Sequence, residues 1–369
     1  MVNYNPTVVL TDAGQEANRP NYLQRGTQII YTAAKYHLTL IDKLMHPDVF
    51  HLKQKPSKYR TLLTKWLPNT RVSLKSKGID NQAMRYLPYA MNNSFPLDMG
   101  QFGNVLFSTR IPRKDMDTIE KGPSTTKHVV VFYRGRAYKV DAFDDKFMPR
   151  APNDILADLE AIKADGDERG FNQSAICALS SSERNRWAAN REHLVELGNA
   201  ASLDAIDHAM FALVLDDYAY NEPGDCCKQH IAGPAQNRWP DKSFSVVMGH
   251  CGKAGVVFEH AWGDGAAVLH FMNSTNTQVE QLASDKSYHY DISTTGLVAS
   301  SSGIANEIEF VVDDHINSEI KEAIAIHDDV RDTMDMVVCV MGDAPAVRNP
   351  YYYDQGSYHW LYLRLNGHD

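Results

Sequence analysis

The feature that most constrains the fold of this chain is a stretch in which a short apolar strand runs into a histidine. It reads Gly255-Val256-Val257-Phe258-Glu259-His260-Ala261-Trp262-Gly263-Asp264-Gly265. The apolar residues predict a buried strand, and the residues from Gly265 onward predict a helix, so His260 is expected at a strand-to-helix corner. Corners of this kind are where α/β enzymes present catalytic side chains.

His260 has the chemistry of a candidate general base. The unperturbed pKa of imidazole, roughly 6.5, allows the neutral ring to accept a proton near pH 7. Asp264 follows four residues later, where its carboxylate is expected either to hold the ring or to tie the loop to a cation elsewhere. His260 and Asp264 are therefore the candidate catalytic residues.

Composition and charge exclude several classes of protein. The chain has 369 residues, 43% of them hydrophobic, which is enough for a sizeable core, and a net charge of −9 argues against general nucleic-acid binding. Its five cysteines show no C-x-x-C spacing, so neither a zinc site nor a disulfide framework is indicated. No apolar run is long enough to span a bilayer, and the first 25 residues lack the character of a transit peptide.

The order of predicted elements indicates a mixed α/β protein. Apolar residues at helical spacing predict helices over 21–47, 153–163, 182–197, 202–210 and 315–334. Apolar runs predict strands over 128–133, 137–143, 211–215, 243–248, 255–259 and 307–312. A turn at Arg134-Gly135 predicts that the first two of these strands form a hairpin. The spacing of Ser180 and Glu183 predicts a capping box at the start of the third helix.

Residues 51–85 differ in composition from the rest of the chain. Asp80 is their one acidic residue, and Leu and Trp side chains are interleaved with many basic ones. This pattern fits either a solvated loop or a peripheral patch on an anionic membrane surface. The residues expected to form the patch are Lys53, Lys55, Lys58, Arg60, Lys65 and Trp66.

A second motif, Asn237-Arg238-Trp239-Pro240-Asp241-Lys242-Ser243, lies shortly before the histidine stretch. Together the two resemble the active-site signature of the choline/carnitine acyltransferase family. Segments 95–99, 107–112, 179–184 and 211–217 resemble the same family. The residues that support the signature are Arg238, Trp239, Asp241, Lys242, Glu259 and Gly265.

The resemblance implies an α/β, chloramphenicol-acetyltransferase-like fold with a mixed sheet and flanking helices, forming one domain of a two-domain enzyme. It implies that His260 removes the proton of the carnitine hydroxyl, which then attacks the acyl-CoA thioester directly. It also implies that Asp264 holds the active-site loop, that acyl-CoA and carnitine are substrates, and that no cofactor or metal is needed. The long-chain, mitochondrial members are the most similar, which implies palmitoyl-type transfer in fatty-acid import for β-oxidation at the matrix face of the inner membrane.

The resemblance does not extend over the whole chain. We expect a catalytic-histidine region over 1–338, with the basic insert at 51–85, and a divergent tail over 339–369. The family's carnitine and CoA contacts are expected in a second half that this sequence lacks, so the chain alone is expected to have little or no activity.

Two other functions fit the same residues. One is a non-catalytic fragment or pseudoenzyme that binds membrane surfaces through residues 51–85. The other is a cysteine hydrolase that uses Cys251, His260 and Asp264. Neither the acyl chain length nor the oligomeric state follows from the sequence.

Overall fold

The computed structural model describes residues 5, 7–9, 21–42, 49–51, 94–96, 98–219, 223–284, 299, 302–333, 336–341 and 360–365. The chain divides into two compact units, one made of residues 1–35 and 104–369 and the other of residues 36–103. The predicted membrane patch at 53–66 lies outside the described residues.

The described part of the chain contains both strands and helices. The strands are β1 Thr7–Val9, β2 Val49–His51, β3 Ser94–Pro96, β4 Ser108–Ile111, β5 Thr118–Lys121, β6 His128–Tyr133, β7 Arg136–Asp141, β8 Ala212–Asp216, β9 Phe244–Gly249, β10 Ala254–Phe258, β11 Met336–Met341 and β12 Trp360–Leu365. The helices are α1 Tyr22–Ile41, α2 Pro152–Arg169, α3 Arg184–Glu196, α4 Ala200–Asp207, α5 Pro223–Ala232, α6 Gly265–Ser284 and α7 Asp314–Thr333.

A six-stranded mixed sheet forms the centre of the larger unit, in the order β1-β10-β9-β8-β6-β7. Strands β6, β8 and β9 run parallel to their neighbours in that group, whereas β1, β10 and β7 pair antiparallel. Every residue of the three parallel strands is buried, as expected for strands covered on both faces. The predicted mixed α/β fold is therefore confirmed.

The hairpin β6–β7 confirms a prediction made from its turn residues. Arg134 and Gly135 both have positive φ angles, 47° and 75°, as in the two-residue turn whose twist matches that of the strands. Gly135 reaches this backbone conformation without the steric cost that a Cβ would add.

Helix boundaries differ from the predictions at several points. Helix α1 ends at Ile41, before the predicted end near Pro47, and α2 continues to Arg169. Glu183 is itself the N-cap of α3, because its carboxylate accepts the N–H groups of Asn185 and Arg186. Ser180 donates instead to the carbonyl of Cys177, so the predicted capping box is wrong.

The segment predicted as a strand over 307–312 is extended but forms a single bridge, between Glu307 and Tyr138 of β7. Ile308 N–H donates to the carbonyl of Ala137, and further bonds of this segment go to α4 side chains and to Asn199. Beyond the bridge, side chains thus bind backbone groups of this segment that a paired strand would bind in a ladder.

The other described sheets have two strands each. Strand β12 and the second half of β11 lie in the tail predicted as divergent, and these two strands pair antiparallel. In the smaller unit β2 pairs antiparallel with β3. Among the described residues, no helix is long and apolar enough to cross a membrane.

Candidate active site

His260 lies at the corner between β10 and α6, as the sequence predicts. Strand β10 ends at Phe258 and α6 begins at Gly265, so residues 259–264 form a short loop at the end of a buried strand. The His260 side chain is 57% exposed. The loop therefore presents the imidazole to solvent from a rigid, buried support.

Asp264 is brought close to His260 but is bound more firmly elsewhere. Its Oδ1 lies 3.4 Å from His260 Nε2 and 2.7 Å from the backbone nitrogen of Gly265, which donates to it. Its own carbonyl accepts the N–H of Ala267. The carboxylate thus caps the first turn of α6 and makes only a long polar contact with the imidazole.

Gly265 is required by close packing at the same corner. A Cβ at this position would stand 3.0 Å from Cζ of Phe258, a contact tighter than side chains normally tolerate. Since Phe258 is buried, a side chain here would have to push its ring aside for the start of α6 to keep its approach to the end of β10.

Arg238, a signature residue, is buried and forms an ion pair at the carboxyl end of β8. Its Nη1 and Nη2 donate to both carboxylate oxygens of Asp216, at 2.9 and 2.6 Å, and Nη2 also donates to the carbonyl of Gln229. This two-pronged contact ties the end of β8 to α5. Arg238 is therefore part of the scaffold.

Trp239 and Asp241 build the core below the motif. Trp239 packs edge-on against Trp187, with ring centroids 5.8 Å apart. Asp241 Oδ2 accepts the indole N–H of Trp187 at 2.8 Å, and its Oδ1 accepts from Arg184 at 2.8 Å. Burial raises the pKa of the Asp241 carboxyl to about 6.

Lys242 is also fully buried. Its Nζ donates to the hydroxyl of Thr109 at 2.9 Å and to the carbonyl of Asp207 at 2.5 Å. Burial lowers the pKa of its ammonium group to about 7, against the opposing effect of the nearby Asp207 carboxylate. Lys242 thus joins β4 to the end of α4.

Two arginines that the sequence analysis did not single out lie next to the histidine loop. Arg110 donates through Nη1 to Glu259 Oε1 at 3.0 Å, and Arg184 shares the carboxylate of Asp117 with Arg110. Both lie in segments that carry the family resemblance, 107–112 and 179–184. Their place within these two segments was the available signal.

Cys251 is separated from His260 by the whole of β10. It lies in the turn before this strand, where Gly252 has a φ of 81°, whereas His260 lies after the strand's other end. An extended strand of five residues spans about 17 Å. The structure therefore does not bring Cys251, His260 and Asp264 together as a hydrolase would require.

Asp216 ends β8 and Asp217 follows it, and both carboxylates accept hydrogen bonds from other side chains. Asp216 is bound by Arg238, and Asp217 accepts from the Tyr133 hydroxyl and from Arg134 Nε. Within the described residues, no group of three or more His, Cys, Asp or Glu side chains could hold a metal ion.

The residues of this site lie within a part of the chain that is similar to known proteins. The family model of the choline/carnitine O-acyltransferases matches residues 1–344. The chain belongs to the choline/carnitine O-acyltransferase family.

Its curated relatives include carnitine palmitoyltransferases of both types. The chain is 32% identical over 329 residues to mitochondrial carnitine O-palmitoyltransferase 2 of Xenopus tropicalis, covering 88% of this chain and 46% of that protein. It is 31% identical to the human enzyme of the same name, covering 74% and 39% of the two chains. The liver isoform of human carnitine O-palmitoyltransferase 1 is 31% identical over 189 residues, 49% of this chain and 24% of that protein. The chain thus spans about half the length, or less, of these relatives.

Proposed function

We propose that this chain carries the general-base part of a carnitine O-acyltransferase, with His260 as the base. The observation that carries the proposal is the exposed imidazole of His260, held at the end of a buried strand within the family's signature. Most of the other signature residues are buried beneath it, so this ring is the group of the signature best placed to meet a substrate.

The reaction needs one proton acceptor. His260 would take the proton of the carnitine hydroxyl while the oxygen attacks the thioester carbonyl of acyl-CoA. Collapse of the tetrahedral intermediate breaks the C–S bond, and the imidazolium returns the proton to the departing CoA sulfur. No covalent acyl-enzyme is formed, and the same ring serves as acid and base in the reverse direction.

The relatives support finer proposals about substrate and place. Several are named carnitine O-palmitoyltransferases and mitochondrial, which supports a long-chain acyl substrate and a mitochondrial location here. The matrix face of the inner membrane and a peripheral contact of residues 51–85 with anionic lipid are proposed with them.

The decisive test compares His260→Ala with a matched variant of another exposed histidine. The measurement is carnitine-dependent release of CoA thiol from palmitoyl-CoA by the purified chain, and its reverse from palmitoylcarnitine. Where the unchanged chain shows carnitine-dependent turnover, we expect His260→Ala to lower the rate by about 10²- to 10⁴-fold, the usual contribution of a general base. His250→Ala should retain the rate, because His250 lies in the turn after β9 and its ring binds only the carbonyl of Asp217 among the contacts described.

Equal rates, both above background, for the unchanged chain and His260→Ala would contradict the role of His260. Background rates in both would favour the non-catalytic, membrane-binding function. Replacing Cys251 by Ser should leave acyl transfer intact, since this thiol lies at the other end of β10.

A further inference from the structure

Glu259 differs from its neighbour His260 in being buried, with a side chain only 4% exposed. Its Oε2 accepts the N–H of Ala261 at 2.7 Å. The side chain of Glu259 thus reaches past the backbone of His260 to the residue that follows it. Its second oxygen, Oε1, accepts from Arg110 Nη1 at 3.0 Å. Both carboxylate oxygens of Glu259 are thus occupied around the base.

The residues on both sides of His260 are bound to a single carbonyl, one through its backbone and one through its side chain. Glu259 N–H donates to the carbonyl of Ser243 at 3.1 Å, and the indole N–H of Trp262 donates to the same oxygen at 2.7 Å. These bonds fasten the loop to the start of β9. Neither bond involves His260 itself. The turn held by the Glu259 carboxylate is therefore left to set the direction of the His260 side chain.

Arg110 is held in place by further ion pairs. Its Nε donates to Asp117 Oδ2 at 2.7 Å, and the same oxygen accepts from Arg184 Nε at 2.7 Å. Burial raises the pKa of the Asp117 carboxyl, but the N–H of Arg113 and the guanidinium of Arg184 outweigh burial and hold that pKa below its usual value. The Asp117 carboxylate therefore stays charged and fixes the Arg110 guanidinium.

The ion pairs continue into the buried signature, because Arg184 also donates to Asp241. The result is an unbroken chain of charge-assisted hydrogen bonds, which we call the loop relay. Its members, in order, are Glu259, Arg110, Asp117, Arg184 and Asp241. The carboxylates at its two ends are nearly fully buried, so a vacated partner would leave a costly unpaired charge.

We propose that Glu259 and Arg110 are positioning residues for His260 and act through the loop relay. The relay fixes the turn from Glu259 to Ala261, and this turn sets the direction in which the imidazole projects from the corner. This inference rests on the proposed function, since it assigns a use to the orientation of the base. Neither residue is given a contact with substrate.

The test reads the imidazole itself and needs no turnover. In a chain labelled with [¹³Cε1]-histidine, the His260 signal is assigned by its disappearance in His260→Ala. Glu259→Gln keeps the shape and one acceptor but removes the charge that faces Arg110. We expect Glu259→Gln and Arg110→Gln each to move the His260 signal, and the double variant to move it no further than the larger single change.

The matched control lies on the same hairpin. Arg113→Gln removes an arginine that pairs with Glu120 in an ion pair whose members are both about half exposed, and the His260 signal should not move. The His250 signal should stay unchanged in every variant. Where the chain turns over palmitoyl-CoA, Glu259→Gln should lower kcat on the order of 10²-fold with KM little changed, because a misplaced base slows chemistry.

Three outcomes would overturn the positioning role. They are a His260 signal unmoved by Glu259→Gln in a folded chain, additive shifts in the double variant, and failure to fold of Glu259→Gln together with the conservative Arg110→Lys. The last would mean that the pair serves the fold instead. Absence of carnitine-dependent turnover would count against the proposed function alone, since the signal is measured without substrate.

Discussion

His230, on α5, is a fully buried histidine beside the ion pair of Arg238 and Asp216. Burial is the main cause that lowers the pKa of its imidazole to about 3; the Arg238 charge acts in the same direction, and the Asp216 carboxylate opposes both. The ring is therefore neutral in the folded protein at every pH at which His260 could act. The two histidines show how one residue type serves as scaffold or as candidate base according to its surroundings.

His230 should make the folded state sensitive to acid. Between pH 6.5 and 3 the unfolded chain binds a proton at this residue and the folded chain does not, so stability falls as the pH falls and is unaffected by this group above pH 6.5. His230→Gln removes the titration. Between pH 7 and pH 5 the unchanged chain should lose about 2 kcal/mol more than this variant.

Urea unfolding of both proteins at the two pH values measures this difference. His250→Gln is the matched control, because His250 is exposed and should leave the pH dependence as it is. The same pH dependence in His230→Gln and in the unchanged chain would show that His230 does not carry the effect.

At the scale of the element, α7 is fastened to the core by one apolar face and one ion cluster. Ile316, Ile320, Ala323 and His327 are buried. Glu319 and Glu322 accept from Arg186 of α3, and Glu319 also accepts from Asn190. Since the ion cluster is partly exposed, we expect apolar packing to supply most of the stabilisation.

Two isoleucines on α7 test that expectation with the same substitution. Ile320 is fully buried, and Ile320→Ala should lower the free energy of unfolding by about 2 to 5 kcal/mol through lost burial and the cavity left behind. Ile326 is 52% exposed, and Ile326→Ala should change it by at most about 0.5 kcal/mol. Equal losses in urea unfolding would show that the burial of Ile320 is not what makes α7 stabilise the fold.

At the scale of the whole molecule, charge is unevenly distributed along the chain. The net charge is −9, yet residues 51–85 are strongly basic. An acidic protein is repelled by anionic lipid unless a local patch reverses the sign of the interaction. Binding to anionic vesicles would therefore be traceable to this segment, which lies outside the described residues apart from His51.

Two variants with lysine charges removed, one in the basic patch and one elsewhere as a control, test the proposed membrane contact. We expect the chain to sediment with phosphatidylserine vesicles and not with phosphatidylcholine vesicles, and to be released by salt. One variant changes four patch lysines to Gln and should lose roughly 1 kcal/mol of binding per residue. Its changed residues are Lys53, Lys55, Lys58 and Lys65.

The control variant makes the same number of Lys→Gln changes at exposed positions elsewhere. Its changed residues are Lys114, Lys121, Lys146 and Lys321. The control should retain binding, and an equal loss in both variants would show that net charge, not the patch, governs the interaction.

The sequence by itself determined the features that depend on neighbouring residues. Alternation, apolar runs and the Arg134-Gly135 turn predicted the hairpin β6–β7, and the stretch from Gly255 to Gly265 predicted the corner that presents His260. The signature motifs identified the family. These predictions hold because strand pairing across a tight turn and a strand-to-helix corner are governed by local backbone preference and local burial.

Only the tertiary structure decided how distant residues are used. The loop relay joins Arg110, Arg184 and Glu259, and Asp264 was found to cap α6 more firmly than it contacts His260. It also decided that residues 307–312 form a single bridge instead of a strand. The physical reason is that ion pairs, burial and sheet pairing depend on distance through space, and residues 149 positions apart meet only when the whole fold has formed.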